Sequence, residues 1–214
     1  MNAFFQKCMM ILFLYVWVCT SFSDNVVDLK TEGSHCVLFS PYDNVAQALC
    51  ECIKAEKKRI VVLMYSFTSK IIADELLQAH KRKVDVIIIV NRTCVTDRYN
   101  KVEYLASQGI PVFVYDPIFE HKKDTSALMH NKCALFSKNK HDRSIVMTGS
   151  FNFTVSADKK NYENVLFISD TSLFKKYNDY AERLKKNCLP IKQWNTQRPL
   201  LYNTTYRHAF DADI

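Results

Sequence analysis

Apolar and polar residues alternate in two different ways along the first half of the chain. Near-continuous apolar runs are typical of strands buried on both faces, and apolar residues three or four apart are typical of amphipathic helices. The predicted strands are His35–Ser40, Arg59–Phe67, Val84–Val90 and Ile110–Tyr115. The predicted helices run from Asp43 to about Lys57, from Ser69 to Lys81 and from Asp97 to Gln108, with Gly109 ending the third. This succession predicts an α/β fold with a mixed, mostly parallel sheet flanked by helices.

The pattern changes after Tyr115, where a polar loop is followed by closely spaced strands. The predicted loop is Asp116–Ala127, and the three strands after it are Met129–Ser137, Ser144–Gly149 and Tyr162–Ser169. A terminal helix, Thr171–Cys188, and a loosely attached tail, residues 190–214, are predicted to follow. A short hairpin, Lys138–Arg143, joins the first two of these strands.

Polar residues mark one end of each of the three late strands. His130 and Lys132 open the first strand two positions apart, so their side chains point to the same side. Ser150 and Asn152 follow the second strand, and Glu163 opens the third. Each residue alone has an ordinary structural explanation, such as a turn or a charged strand end. Together they supply a nucleophile, a cation, two neutral donors and an orienting carboxylate, which predicts a phosphate-ester site in one cleft.

The same residues carry a family resemblance. The segments "HNKCALFS", "TGSFNFT" and "NYENVLFI" resemble the HxKxxxxD…GSxN…E signature of the phospholipase D superfamily. The segments "MYSFTSKIIADELLQAHKRKVDVIIIV" and "GIPVFVYD" resemble the small single-motif bacterial endonucleases of that superfamily. The resemblance covers roughly residues 35–187 and implies a phospholipase D-like sandwich.

The resemblance also implies a mechanism, which is phosphodiester hydrolysis without a metal or other cofactor. His130 would attack phosphorus and form a phosphohistidine. Lys132, Ser150 and Asn152 would bind the phosphate oxygens, and Glu163 would orient the imidazole. The chemistry needs a second histidine, and this chain has a single motif. Family members with one motif pair two chains, so a homodimer with a shared active site is expected.

One position departs from the family signature. The motif aspartate is replaced by Ser137, and Asp142 in the hairpin is the candidate substitute. The family aspartate supports the hairpin rather than attacking the substrate. An inactive descendant that only binds phosphodiesters is therefore one alternative function.

Charge bears on the choice of substrate. The 214-residue chain has 29 Lys and Arg against 22 Asp and Glu, a formal charge of +7. Its basic stretches, Lys54–Arg59, Lys81–Lys83 and Lys138–Arg143, suit a nucleic-acid backbone, although they equally suit solvated helix ends and turns. DNA or RNA is the preferred substrate, and phosphatidyl headgroups, cleaved as by a phospholipase D, are the alternative. With three glycines in total, the chain has no Gly-rich phosphate loop.

The N-terminus has the pattern of a signal peptide. Lys7 precedes the apolar run Met9–Val18, and small residues precede a cleavage point after Ser23. Residues 1–23 are therefore predicted to direct export to the periplasm or outside the cell, with an uncleaved membrane anchor as the alternative. The predicted catalytic domain is 24–189. Its six cysteines show no metal-ligand or small-domain disulfide spacing, which favours buried free thiols.

Overall fold

The structure is a computed structural model and describes residues 27–120 and 125–198. The strands are β1 His35–Ser40, β2 Arg59–Met64, β3 Asp85–Asn91, β4 Val112–Tyr115, β5 Lys132–Phe136, β6 Ile145–Gly149, β7 Glu163–Ile168 and β8 Cys188–Pro190. The helices are α1 Val45–Ala55, α2 Lys70–Lys81, α3 Arg92–Thr96, α4 Val102–Ser107, α5 Val155–Lys159, α6 Thr171–Lys186 and α7 at residues 191–198. Short 3₁₀ turns lie at Pro117–Glu120 and Lys140–Asp142.

The strands of the described residues form one eight-stranded sheet in the order β1-β7-β6-β5-β2-β3-β4-β8. The predicted α/β class, with a mixed sheet flanked by helices, is confirmed. The expectation of a mostly parallel sheet is wrong: two neighbouring pairs, β2/β3 and β3/β4, are parallel, and the other five are antiparallel. One reason is that residues 137–144 join β5 directly to β6, and such short connections join antiparallel neighbours.

Both faces of the central strands are buried, as their apolar runs predicted. Ile60, Val62 and Met64 of β2 join a large core with α1, α2 and α4. Val61 and Leu63, which alternate with them, join a second core covered by α6. The inner side of α6 is formed by Leu173, Phe174, Tyr177, Ala181 and Leu184.

One edge of the sheet brings together one end of each of the eight strands, including the start of β8, where Cys188 pairs with Tyr115 of β4. Because β2, β3 and β4 are parallel, their carboxyl ends share this edge. Because β5 is antiparallel to β2, β5 begins at this edge, and by the same alternation β6 ends there, β7 begins there and β1 ends there. We call this edge, defined by Met64, Asn91, Lys132, Gly149 and Glu163, the site edge. Open α/β sheets bind ligands at the carboxyl ends of their parallel strands.

The C-terminal region differs from its predicted description. Residues 190–198 are not loosely attached, because β8 pairs with β4 and α7 packs on the core. Trp194 is fully buried, and its indole N–H donates to Asp116 Oδ2 at 3.0 Å. The proposed signal segment 1–23 and residues 199–214 lie outside the described residues. Within the described ranges, no helix has the length and hydropathy needed to cross a bilayer.

Candidate active site

His130 stands just before β5, on a segment held by its neighbours. The strand begins at Lys132 rather than at Met129 as predicted. The backbone N–H of Met129 donates to Asn91 Oδ1 at 3.0 Å, and Tyr65 N–H donates to the Asn131 carbonyl at 3.0 Å. The exposed imidazole of His130 packs against the Tyr65 ring, with 4.4 Å between ring centroids. The histidine is therefore accessible to a substrate and fixed in orientation.

Lys132 lies beside His130 at the start of β5. Its Nζ donates to the His130 carbonyl oxygen at 2.9 Å and lies 5.0 Å from the centre of the Tyr65 ring. Burial lowers the pKa of Lys132, and the charge of Glu163 opposes that effect. The ammonium therefore sits within electrostatic reach of the carboxylate that opens β7.

Ser150 ties the end of β6 to the start of β7. Its N–H donates to the Asn164 carbonyl at 3.0 Å, and its Oγ accepts the Asn164 N–H at 3.1 Å. The backbones of β6 and β7 approach so closely here that a Cβ on Gly149 would overlap the Asn164 carbonyl oxygen. Glu163, next to Asn164, accepts a hydrogen bond from Asn161 Nδ2 at 3.1 Å.

Asn152 lies in a loop that is fixed to the segment after β2. Phe153 N–H donates to the Ser66 carbonyl at 3.1 Å, and the Phe153 carbonyl accepts the Thr68 N–H at 2.9 Å. The Phe153 and Phe67 rings meet edge to face at 5.2 Å. Asn152 Oδ1 is buried and has no hydrogen-bond partner among the described residues. Buried polar atoms rarely stay unpaired, and a polar ligand would satisfy this one.

All five predicted site residues thus lie at the site edge, on the adjacent strands β5, β6 and β7 or immediately next to them. Their side chains offer an accessible imidazole, a cation, an amide, a hydroxyl and a carboxylate. That set can attack a phosphorus atom and stabilise the charge on its oxygens. Their individual catalytic roles stay a prediction.

No second histidine of the described residues joins this site. His141 lies in the β5–β6 connection at the opposite edge and pairs with Asp28 at 2.6 Å. His35 opens β1, whose other end meets Glu163. His80 lies in the last turn of α2, and His121 falls outside the described residues.

The position of the missing motif aspartate is served by Glu56, which the sequence reasoning did not identify. Ser137 Oγ donates to Glu56 Oε1 at 3.3 Å. The same oxygen accepts the N–H groups of Lys58, Arg59 and Lys138 at 2.8–3.0 Å, and Asn139 Nδ2 donates to Oε2 at 3.3 Å. Glu56 is buried and joins the end of α1 to the ends of β2 and β5. No local sequence signal marks it, because its partners are up to 83 residues away.

Asp142, the substitute suggested from the sequence, does not have this role. It is exposed, and Lys57 donates to it at 2.9 Å. The hydrogen bond from Lys57 lowers the pKa of Asp142.

The basic stretches lie away from the site. Lys54–Arg59 and Lys81–Lys83 precede β2 and β3, and Lys138–Arg143 joins β5 to β6, so all three occupy the edge opposite the site edge. Several of their charges are paired within the chain: Lys54 with Glu75, Lys57 with Asp142 and Arg59 with Glu182. None of these stretches adjoins the site residues, and whether they bind a nucleic-acid backbone stays a prediction.

The thiols are not alternative nucleophiles. Five of the six described cysteines are buried, and Cys36 is half-buried. Burial raises the pKa of Cys133, which adjoins Lys132, to about 12, so its thiolate is scarce near neutral pH.

In the described part of the chain, no three His, Cys, Asp or Glu side chains are grouped as metal ligands.

Residues 49–185 match the family model described as "Cardiolipin synthase, PLD-like domain". The chain belongs to the phospholipase D superfamily. The recognition made from the motifs is thereby confirmed, including the closeness to the Nuc-type branch. The matched residues contain every predicted site residue and both β2 and β3.

Relatives with reported names come from bacteria and animals. The chain is 32% identical to a phospholipase D of Rickettsia prowazekii over 140 residues, which are 65% of this chain and 62% of that one. It therefore spans less than two thirds of that relative's length. It is 28% identical to the mitochondrial cardiolipin hydrolase of Xenopus laevis over 161 residues, 75% of this chain and 66% of that one.

Two solved structures share the fold. Nuc of Salmonella typhimurium, a phospholipase D family member, has a TM-score of 0.63 and 28% identity, over 74% of this chain and 98% of that one. NucT of Helicobacter pylori has a TM-score of 0.64 at 22% identity, over 74% of this chain and 99% of that one, which supports the fold alone.

Proposed function

We propose that this protein is a metal-independent phosphodiesterase that uses His130 as its nucleophile and acts on DNA or RNA. The observation that carries the proposal is the convergence of His130, Lys132, Ser150, Asn152 and Glu163 at one sheet edge. Membership of the phospholipase D superfamily supports the reaction type.

In the first step, a ring nitrogen of His130 attacks phosphorus and the bond to the leaving oxygen breaks. The leaving oxygen takes a proton from a second histidine. Lys132 and the Asn152 amide stabilise the nonbridging oxygens, where negative charge builds up. Glu163 holds the imidazole in the tautomer that attacks and stabilises the cation that forms.

In the second step, water attacks the phosphohistidine. The second histidine, now neutral, takes the proton of that water, and the P–N bond breaks. The products are a phosphomonoester and free His130. Since no other described histidine lies at the site edge, we propose that the second histidine is His130 of an identical chain, in a homodimer with a two-fold axis at the site.

We propose that the chain is active although Ser137 stands at the position of the motif aspartate. Ser137 Oγ donates to Glu56 Oε1 at 3.3 Å, and the same oxygen accepts the Lys138 N–H at 2.8 Å, so a buried carboxylate is present beside that position.

Nucleic acid is proposed as the substrate on two grounds. The chain resembles Nuc over almost the whole length of Nuc, and its net charge of +7 favours a polyanion. A phosphatidyl headgroup is the second candidate, and the observation that favours it is the naming of two relatives as a phospholipase D and a cardiolipin hydrolase. We also propose that residues 1–23 direct export, or anchor the chain in a membrane.

The test is to assay purified protein in excess EDTA on single-stranded DNA, on RNA and on vesicles of phosphatidylcholine or cardiolipin. Cleavage of a nucleic acid in EDTA supports the proposal. Release of headgroup alone assigns the lipid reaction instead. Activity that is lost in EDTA and restored by a divalent ion overturns the phosphohistidine mechanism.

A further inference from the structure

An aromatic pocket adjoins the proposed site on the side of β1 and β7. It has a volume of about 400 Å³ and is lined by Phe39, Ser40, Tyr42, Asp43, Tyr162, Glu163 and Asn164. Glu163 and Asn164 connect it to the site, because Glu163 acts electrostatically on Lys132 and Asn164 bonds to Ser150. Pocket and site therefore share a wall.

The rings of this pocket face solvent. Tyr42 is 76% exposed, Tyr162 79% and Phe39 51%. The Tyr42 and Tyr162 ring centroids lie 5.9 Å apart with their planes at 57°, so the two rings touch as a tilted pair while both side chains stay largely exposed to solvent. Three exposed aromatic rings around one opening are unusual for a surface whose neighbours are polar.

The charges of the pocket select among possible occupants. Asp43 and Glu163 are carboxylates, and none of the residues that line the pocket is a cation. A phosphate group would be repelled there. A nucleobase suits it, because its face stacks on tyrosine and its amino groups donate to carboxylate oxygens.

Two cations lie close in sequence to the pocket residue Tyr162. Lys159, the last residue of α5, and Lys160 are both exposed. Lys159 pairs with Asp158 at 3.0 Å but keeps 62% of its side chain accessible. Lysines beside exposed aromatic rings are the combination that single-stranded nucleic acid binds.

We propose that Tyr42 and Tyr162 bind a nucleobase next to the phosphate being cleaved, which makes the substrate a single-stranded nucleic acid. This inference rests on the proposed function. It assigns substrate selection to residues outside the motif, and it accounts for the exposed rings as a stacking surface.

The experiment compares two oligomers with the same phosphate backbone, an oligodeoxycytidylate and an abasic oligomer of equal length. For Tyr42→Ala and for Tyr162→Ala, we expect KM on oligodeoxycytidylate to rise roughly tenfold with kcat little changed. Tyr162→Phe keeps the ring and should stay near the wild-type KM. Tyr104→Ala, at an exposed tyrosine on α4 outside the pocket, is the matched control and should change nothing.

The abasic oligomer decides whether the rings bind bases. Neither alanine variant should raise its KM, because the base is already missing. An equal rise on both oligomers, or no rise on either, overturns the proposal. Light scattering tests whether the pocket instead binds a second copy of this chain. If an alanine variant no longer forms the dimer, the pocket is part of the dimer interface and base binding is overturned. If wild-type protein cleaves vesicles and neither oligomer, the proposed nuclease function falls, and base binding falls with it.

Discussion

A single buried carboxylate, that of Glu56, organises the far end of β5. It accepts three backbone N–H groups and two side-chain donors from segments on either side. Removing such an acceptor leaves each buried donor unpaired, at about 1–3 kcal/mol per group. Glu56 acts on stability and on the position of β5, and it touches no reacting atom.

Restoring the family aspartate should therefore damage this protein. In Ser137→Asp the new carboxylate would face Glu56 Oε1, which now lies 3.3 Å from Ser137 Oγ. We expect the free energy of unfolding to fall by roughly 1–4 kcal/mol, the Coulomb repulsion of like charges at short range near a protein surface. Urea unfolding of Ser137→Asp, Glu56→Gln and the double variant measures it. The double variant should recover part of the loss, and additive losses would show that the two positions do not interact.

Lys132 should set the alkaline limit of activity. Burial lowers its pKa below that of an ordinary lysine, so its ammonium loses the proton at a lower pH, and activity should fall as pH rises through that value. The measurement is kcat/KM against pH above neutrality. Lys132→Arg stays charged throughout, so its alkaline fall should move to higher pH even though its rate is lower. The same alkaline limb in both proteins would assign the fall to another group.

The contact between β6 and β7 depends on the absence of a side chain at Gly149. An added Cβ would overlap the Asn164 carbonyl, which receives the Ser150 N–H. Gly149→Ala should lower the free energy of unfolding by roughly 2–4 kcal/mol and reduce activity, as measured by urea unfolding and DNA cleavage. Gly33→Ala is the matched control, because Gly33 also has a positive φ (+79°) but no atom within 4 Å of the added Cβ. The free energy of unfolding of Gly33→Ala should fall by only about 1 kcal/mol. An equal fall in the two variants would show that the overlap with Asn164 does not cause the loss in Gly149→Ala.

Elements with a strong local pattern were predictable, and elements set by distant contacts were not. The apolar runs of β2 and β3 predicted buried strands because each residue of Ile60–Met64 and of Val86–Val90 packs in one of two cores. Of the predicted helix Asp97–Gln108, only α4, Val102–Ser107, is helical, and residues 97–101 form a turn after the separate short helix α3. Asn100 Nδ2 donates to the Val95 and Asp97 carbonyls, and Asp97 Oδ1 accepts the Tyr99 N–H. Such local side-chain bonds compete with the helix.

The site residues were likewise predictable where a local motif marks them and not where distant contacts position them. Its five principal residues were predicted, since motif spacing on consecutive strands fixes them. The groups that hold them were missed: Tyr65 and Asn91 contact the His130 segment across 65 and 38 positions, respectively. Likewise β8 and α7 depend on Trp194, whose partner Asp116 is 78 residues away. Long-range partners leave no periodic trace in a sequence.

The whole molecule has one histidine at the site edge among its described residues, while the proposed chemistry needs two. Wild-type chains mixed with an equal amount of His130→Asn chains and allowed to exchange form about one quarter wild-type dimers. We expect the activity of the mixture to be about one quarter of the activity of unmixed wild type at the same total protein concentration. Activity at about half of the unmixed value, with a monomer by light scattering, would show that each chain works alone.

Cleavage of single-stranded DNA in EDTA by His130→Asn, assayed beside wild type, tests the role of the imidazole most directly. Asparagine keeps a polar side chain at an exposed position, so circular dichroism and the urea midpoint should stay unchanged. We expect kcat to fall by roughly 10³-fold or more, as for other lost nucleophiles. A folded His130→Asn protein that keeps a tenth of the wild-type rate would remove His130 from the reaction.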